Sequence, residues 1–251
     1  LGIENMDTIN FVLYSTQTPV RGIPGDAAQL LGELGIPANF QQISHGCSAF
    51  VSALNLSYAL NVANNNQSKF LLVQTDTYSK LISKRDRMNL SLFSDAASAC
   101  LIDWTEYLRV FSVERSYTES HDRIAYPGDG YNNSTIHEYT QGSWSSNEYF
   151  YMHGPDVFRF TMTKVVEVLE EILSNISCKQ VILHQANKMI IEGISRKFTG
   201  LKFYNDLEDG NLVGASIPRI IEKHNVDFTE NTLLLGFGVG LHISGIVLRK
   251  K

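Results

Sequence analysis

Cys47 sits in the stretch His45-Gly46-Cys47-Ser48-Ala49-Phe50, where a polar, strand-like segment gives way to a helical pattern. A thiol at such a junction lies beside backbone N–H groups that have no intrahelical partner and at the positive end of a helix dipole. That placement favours thiolate, the nucleophilic form, over thiol. Gly46, Ser48 and Ala49 leave room for a substrate carbonyl, and the Cys47 amide is placed to help hold an oxyanion. A buried structural cysteine would occupy the same position, and position alone leaves both readings open. Cys100 and Cys178 have no polar constellation near them in sequence. Three widely separated cysteines without a C-x-x-C pair predict neither a disulfide framework nor a zinc site.

Three further stretches hold polar groups where chemistry is done. Ile182-Leu183-His184-Gln185-Ala186-Asn187 puts His184 at the end of an apolar strand, where the sheet-end residues of α/β folds line the ligand crevice. A general base or oxyanion donor belongs there, and so does a satisfied structural histidine. His45, His153 and His242 carry less weight, being isolated or next to turns. Asn211 precedes small residues and a helix in a turn-rich loop, where an amide is commonly a turn former or helix cap until a partner is found. Gly236, Gly238 and Gly240 suggest a phosphate-binding loop, but a strand-like alternation follows them instead of a helix, so the dinucleotide reading fails. Glycines between two strands let the backbone approach a buried site closely.

Alternating strands and helices position these residues. Strands are predicted over residues 9–16, 40–44, 69–76, 95–103, 107–117, 179–184, 232–238 and 241–250, and helices over 27–35, from 48 onward, and over 154–175, 187–198 and 214–224. Residues 116–147 read as a long polar loop region. The order is that of an α/β fold with helices covering the sheets, and it recurs in both halves without a residue-level repeat. With 251 residues, 43% hydrophobic and 19% charged, the chain has material for one large domain or two fused smaller ones. No run approaches the roughly twenty apolar residues of a membrane span and the start lacks a secretion signal, so a cytoplasmic protein without membrane attachment is expected. The Asn-x-Ser/Thr triplets at 132–135 are then chance matches. A net charge of −5 gives no general attraction to nucleic acid, and an acidic partner must dock on a local basic patch.

Taken together and in order, HGCSAF, MHGPDVFRF, LHQAN, GNLVGASIP and GFGVG resemble the β-ketoacyl-acyl-carrier-protein synthase III family, condensing enzymes of the thiolase superfamily. The resemblance extends across nearly the whole chain. It implies a thiolase-like five-layered αβαβα fold in two similar halves, residues 1–150 with the nucleophile and 151–251 with the histidine and asparagine. Homodimeric or pseudo-dimeric assembly is implied too, as is a Cys47-His184-Asn211 triad. Cys47 would take an acyl group from an acyl-coenzyme A, and His184 and Asn211 would hold the thioester carbonyl of a malonyl-carrier-protein extender as it loses carbon dioxide. The amides of Cys47 and of the Gly238-Val239-Gly240 segment would form the oxyanion hole. Lys188, Arg196 and Lys197 would dock the acidic carrier protein. Neither cofactor nor metal is implied, and the pathway would be fatty-acid synthesis or a specialised lipid or polyketide route.

Against the usual family length the chain starts ~70 residues in. Met189 stands where many members place an arginine, Phe93-Ser94-Asp95-Ala96-Ala97-Ser98 replaces a Gly-Asp-Gly-Ala version, and His45-Gly46 precede the cysteine where small apolar residues are usual. Two other roles use the same residues: an acyltransferase passing the acyl group from Cys47 to an alcohol or amine, and a non-catalytic partner subunit of a synthase heterodimer.

Overall fold

Strands whose two faces are both covered read as near-continuous apolar runs, as residues 70–73 and 233–237 do. In the computed structural model, which describes residues 6–126 and 149–251, β1 (Phe11–Ser15), β2 (Asn39–Ile43), β3 (Lys69–Asp76) and β4 (Ala96–Asp103) form a sheet in the order β2-β1-β3-β4. A second sheet follows the order β5-β11-β10-β8-β9, from β5 (Tyr107–Ser116), β8 (Gln180–Leu183), β9 (Lys202–Tyr204), β10 (Thr232–Gly238) and β11 (His242–Lys250). A small pair, β6 (Ile124–Ala125) and β7 (Tyr151–Met152), lies between them in sequence. The 132–135 triplets, the 127–147 part of the predicted loop region and residues 1–5 lie outside the described residues.

The same pairing recurs in the two sheets. β1 runs parallel to β2 and β3, with β4 antiparallel to β3. Likewise β8 runs parallel to β9 and β10, with β11 antiparallel to β10. β5 flanks β11 antiparallel, so the chain passes from the first sheet to the second between Asp103 and Tyr107.

Side chains alternate across these strands with period two, and the alternation sorts them into layers. Leu13, Phe70 and Leu72 of the first sheet and Ile182, Leu234 and Ile246 of the second face inward onto one shared core. Between them lie α2 (Ala49–Ala63) and α7 (Ser216–Lys223), contributing Phe50, Val51, Leu54, Ile217 and Ile220. The intervening positions Val12, Tyr14, Leu71 and Val73 face outward onto Ala27 and Leu31 of α1 (Asp26–Leu34). Val181, Leu183, Leu233 and Leu235 face the other way, onto α5 (Val166–Asn175) and α6 (Lys188–Ser195). The result is a helix-sheet-helix-sheet-helix stack, the five-layered αβαβα arrangement. No helix among the described residues is long and apolar enough to cross a membrane.

Two elements differ from the sequence expectation. The apolar positions Phe50, Val51, Leu54, Tyr58, Leu60 and Val62 predict a helical stripe, but α2 is buried without a break from Ala49 to Leu54, because it has a sheet on each side and its first two turns keep no solvent face. The long helix expected over 154–175 is α4 (Gly154–Phe160), a π-helical turn at Thr161–Val165, and then α5. The hydroxyls of Thr161 and Thr163 donate to the carbonyls of Val157 and Arg159 at 2.8 Å each, competing with the backbone ladder where the helix widens.

Leu234 is fully buried in the shared core. Leu234→Ala is expected to cost about 2–5 kcal/mol in urea unfolding, against about 0.5 or less for Met88→Ala on the surface.

Candidate active site

The turn Gly46–Ser48 leads straight into α2, and Gly46 adopts φ +48°, a conformation that side-chain-bearing residues rarely take. A Cβ there would also meet the Gln17 amide at 2.5 Å. The turn carries Cys47 against the end of β10, where a Cβ on Gly238 would stand 2.9 Å from the Cys47 Cβ and 3.1 Å from its Sγ. Glycines at the end of β10 are therefore required by close approach to Cys47 and Ser48. Gly240 sits in the β10–β11 turn, with His242 the nearest group to its missing side chain.

β8 stops at Leu183, and the next residue, His184, donates its N–H to the Leu235 carbonyl of β10 at 2.9 Å. Asn211 is tied to the segment before β4: its N–H donates to the Leu92 carbonyl at 2.8 Å and its carbonyl accepts from the Ser94 N–H at 3.0 Å. Its side-chain oxygen accepts from the Val213 N–H at 2.9 Å, which leaves the amide nitrogen as the end free to donate. Cys47, His184 and Asn211, each buried, converge on one cavity whose other walls are mainly aromatic and aliphatic, among them Tyr78, Phe93, Phe150 and Phe237.

The electrostatics reverse one expectation. Burial pushes the Cys47 thiol up to about 12, the buried Asp76 carboxylate adds to the rise, and the cysteine's own backbone amide pulls back only weakly. The helix terminus acts here on a thiol that has lost its water, and the resting group is the thiol. Burial lowers His184 from 6.5 to about 3, against a smaller opposing pull from the Val213 backbone, and its Nδ1 makes no hydrogen bond of normal geometry. The imidazole is neutral across the physiological range and acts as a hydrogen-bond donor through one nitrogen.

α6 forms part of the cavity rim through Ile190, with Asn187 capping it by accepting from the Ile190 N–H at 2.9 Å. Lys188, Arg196 and Lys197 are exposed on or just after this helix. Lys188 and Arg196 both reach Glu192, at 3.7 and 2.9 Å, leaving Lys197 outside that pairing. His45 and His242 are not isolated: their rings lie 5.0 Å apart, and His242 bridges Glu114 at 2.6 Å and Ser116 at 2.8 Å. Glu114 also accepts from Ser244 and Asn55, at 2.6 and 2.8 Å, so this cluster braces β5, β11 and α2 next to the nucleophile turn.

Gln17, Asp76 and Tyr78 escaped the sequence reading. Asp76 ends an apolar parallel strand and Tyr78 follows it by two residues, so the sheet-end rule that singled out His184 applies to them equally.

The five layers, with a buried cysteine at the start of the central helix α2, make this a thiolase-like fold. The family model described as 3-oxoacyl-[acyl-carrier-protein (ACP)] synthase III matches residues 42–116. The chain is 31% identical to the beta-ketoacyl-[acyl-carrier-protein] synthase III of Enterococcus faecalis over 252 residues, 96% of this chain and 77% of that protein. A protein of the same name from Clostridium botulinum strain Okra is 27% identical over 260 residues, again 96% and 77% of the two chains. Among solved structures, a 3-oxoacyl-(acyl-carrier-protein) synthase III superposes with a TM-score of 0.85 at 25% identity, covering 99% of this chain and 80% of that one. A 3-oxoacyl-(acyl-carrier protein) synthase from Burkholderia xenovorans does so with a TM-score of 0.82 at 25% identity, covering 97% and 74%. This chain belongs to the β-ketoacyl-acyl-carrier-protein synthase III family and is an acyltransferase-type condensing enzyme.

Two measurements test the electrostatics. Iodoacetamide alkylation of Cys47 is expected to be slow near neutral pH and to rise about tenfold per pH unit as the thiolate fraction grows. Because His184 refuses a proton that the unfolded chain accepts below 6.5, stability contributed at neutral pH is lost as pH falls toward about 3. A series of Tm values against pH should fall less steeply for His184→Ala than for the wild type over that window.

Proposed function

We propose that Cys47, His184 and Asn211 together perform a decarboxylative condensation. Convergence of the three side chains on one apolar cavity carries this reading, since Cys47 comes from the first half of the chain and its two partners from the second. Cys47 attacks the carbonyl of an acyl-coenzyme A, the sulfur of coenzyme A departs with the proton of the thiol, and the acyl group remains on Cys47 as a thioester. A malonyl-carrier protein then enters. Its thioester carbonyl accepts hydrogen bonds from the neutral His184 ring and the Asn211 amide nitrogen. As the carboxylate leaves as carbon dioxide, the electrons of the broken bond form an enolate held by those two donors.

The enolate carbon attacks the acyl-cysteine, and the tetrahedral intermediate expels the Cys47 sulfur, which regains a proton. The intermediate's oxyanion lies near the Cys47 amide and the Gly238-Val239-Gly240 segment, of which Gly238 packs against the cysteine. A histidine held neutral suits this role, because a proton on it would be given up to the enolate rather than shared with it. The carrier protein docks at the α6 rim through Lys188, Arg196 and Lys197, and this chain works as a homodimer. The product enters fatty-acid synthesis or a specialised lipid or polyketide route.

Intact-protein mass spectrometry tests the scheme. A panel of acyl-coenzyme A donors should leave one adduct that Cys47→Ala lacks, and malonyl-carrier protein should discharge it with release of carbon dioxide. His184→Ala and Asn211→Ala are expected to acylate normally yet lose about 10²–10³ in condensation rate. Discharge onto an alcohol or amine instead would make the chain an ester- or amide-forming acyltransferase, and no adduct with any donor would make it a partner subunit. Lys197→Glu should raise KM for the carrier protein severalfold and leave acylation by coenzyme A donors unchanged.

A further inference from the structure

Asn211 sits on a loop whose backbone is held away from its preferred shape. Val213, two residues on, adopts φ +53°, a conformation that a β-branched residue rarely takes, and in it the Val213 N–H donates to the Asn211 side-chain oxygen at 2.9 Å. The Val213 backbone also lies within reach of the His184 ring. Strained backbone persists only where its surroundings over-determine it. On one side the determinants are the backbone bonds of Asn211 to Leu92 and Ser94. On the other side stands Gln185, which the condensation scheme does not use.

Gln185 follows His184 in the chain and is 2% exposed. Its amide nitrogen donates to the Leu183 carbonyl at 2.7 Å, and its amide oxygen accepts from the Asp206 N–H at 3.1 Å. Leu183 precedes His184, and Asp206 opens the loop that runs to Asn211. One side chain therefore reaches round the histidine and ties the end of β8 to the asparagine loop. Asp206 is anchored in turn: its carboxylate accepts from the Glu208 N–H at 3.1 Å and pairs with Lys223 at the end of α7. Arg219 of the same helix pairs with Asp209 at 2.9 Å. Exposed ion pairs such as Arg219–Asp209 hold little by themselves. A buried amide bonded at both ends is a firmer tie, because it cannot shift without leaving a polar group unpaired.

We infer that Gln185 is a positioning residue for Asn211, fixing the asparagine loop against His184 so that both side chains aim at one oxygen. The inference rests on those two groups acting as donors in the condensation step. Two donors that share one enolate oxygen must be aligned closely, and a shift of ~1 Å at either costs on the order of 10² in rate. Attack of Cys47 on its acyl donor uses neither group. The two half-reactions thus separate this role from a general loss of structure.

The test compares wild type, Gln185→Met and Gln185→Ala; methionine matches glutamine in length and makes neither bond. Both variants should label Cys47 from an acyl-coenzyme A at the wild-type rate. Their kcat for condensation should fall about tenfold to a hundredfold, with KM for malonyl-carrier protein within about twofold of wild type. In an Asn211→Ala background Gln185→Met should change condensation by less than about twofold, since the group it positions is gone. Amide exchange supplies a readout free of catalysis. Gln185→Met should speed exchange of the Asn211 and Val213 N–H groups about tenfold and leave the amides of β10 unchanged.

Faster exchange at the loop with full condensation activity overturns the inference, and so does a loop that exchanges as in wild type. Equal losses in acylation, condensation and β10 protection mean a general loss of packing and overturn it as well. If His184→Ala and Asn211→Ala condense as fast as wild type, the condensation scheme falls with the positioning role, while faster loop exchange in Gln185→Met would still establish the tie between β8 and the loop.

Discussion

Everything at the site follows from two sheets sharing one buried helix. α2 has β3 and β1 on one side and β10 and β11 on the other, so its first turn enters the core where strand ends from both sheets meet. Only a turn without bulk fits there, which is why Gly46 precedes Cys47 and why β10 ends in glycine beside it. The middle of α2 is held by a different device: the Trp104 indole donates to the Ser57 hydroxyl at 3.0 Å, and that hydroxyl donates to the Leu54 carbonyl at 2.8 Å. A helix braced in this way between two sheets holds its N-terminal thiol in one place.

Dryness is the second consequence of that burial, and it sets the chemistry. Cys47 rests as a thiol and His184 as a neutral ring because neither charged form is solvated. Negative charge then develops only as a reaction proceeds, next to donors that are already oriented and surrounded by a low-dielectric wall. Asp76 is the exception, a buried carboxylate raised to about 7 by its own desolvation while it accepts from the Gln17 N–H. It fixes Gln17, whose side-chain oxygen accepts from the Tyr78 hydroxyl at 2.5 Å.

Much of this architecture is legible in the residues alone, because the strongest signals are local. β3 and β10 coincide with their apolar runs, and α1 ends where Gly35 takes the left-handed conformation, as the glycine predicts. The cysteine at a strand-to-helix junction, the histidine at a strand end and the asparagine in a turn-rich loop could all be picked out, although none identified its partners. What stayed hidden depends on packing. β9 is three residues long and pairs only because β8 is beside it. The π-helical turn at Thr161–Val165 has no period of its own, and β6 and β7 are two residues each.

By itself the sequence determined the order of strands and helices, the sheet-end position of His184 and the family motifs, since periodicity and turn chemistry act over a few residues. The tertiary structure alone decided three things. It brought Cys47 to His184 and Asn211 across more than half the chain, linked Gln17, Asp76 and Tyr78 by hydrogen bonds, and made the thiol at a helix terminus a weak acid. Each of these depends on which groups exclude water from one another, and solvent exclusion is a property of the packed layers rather than of any segment.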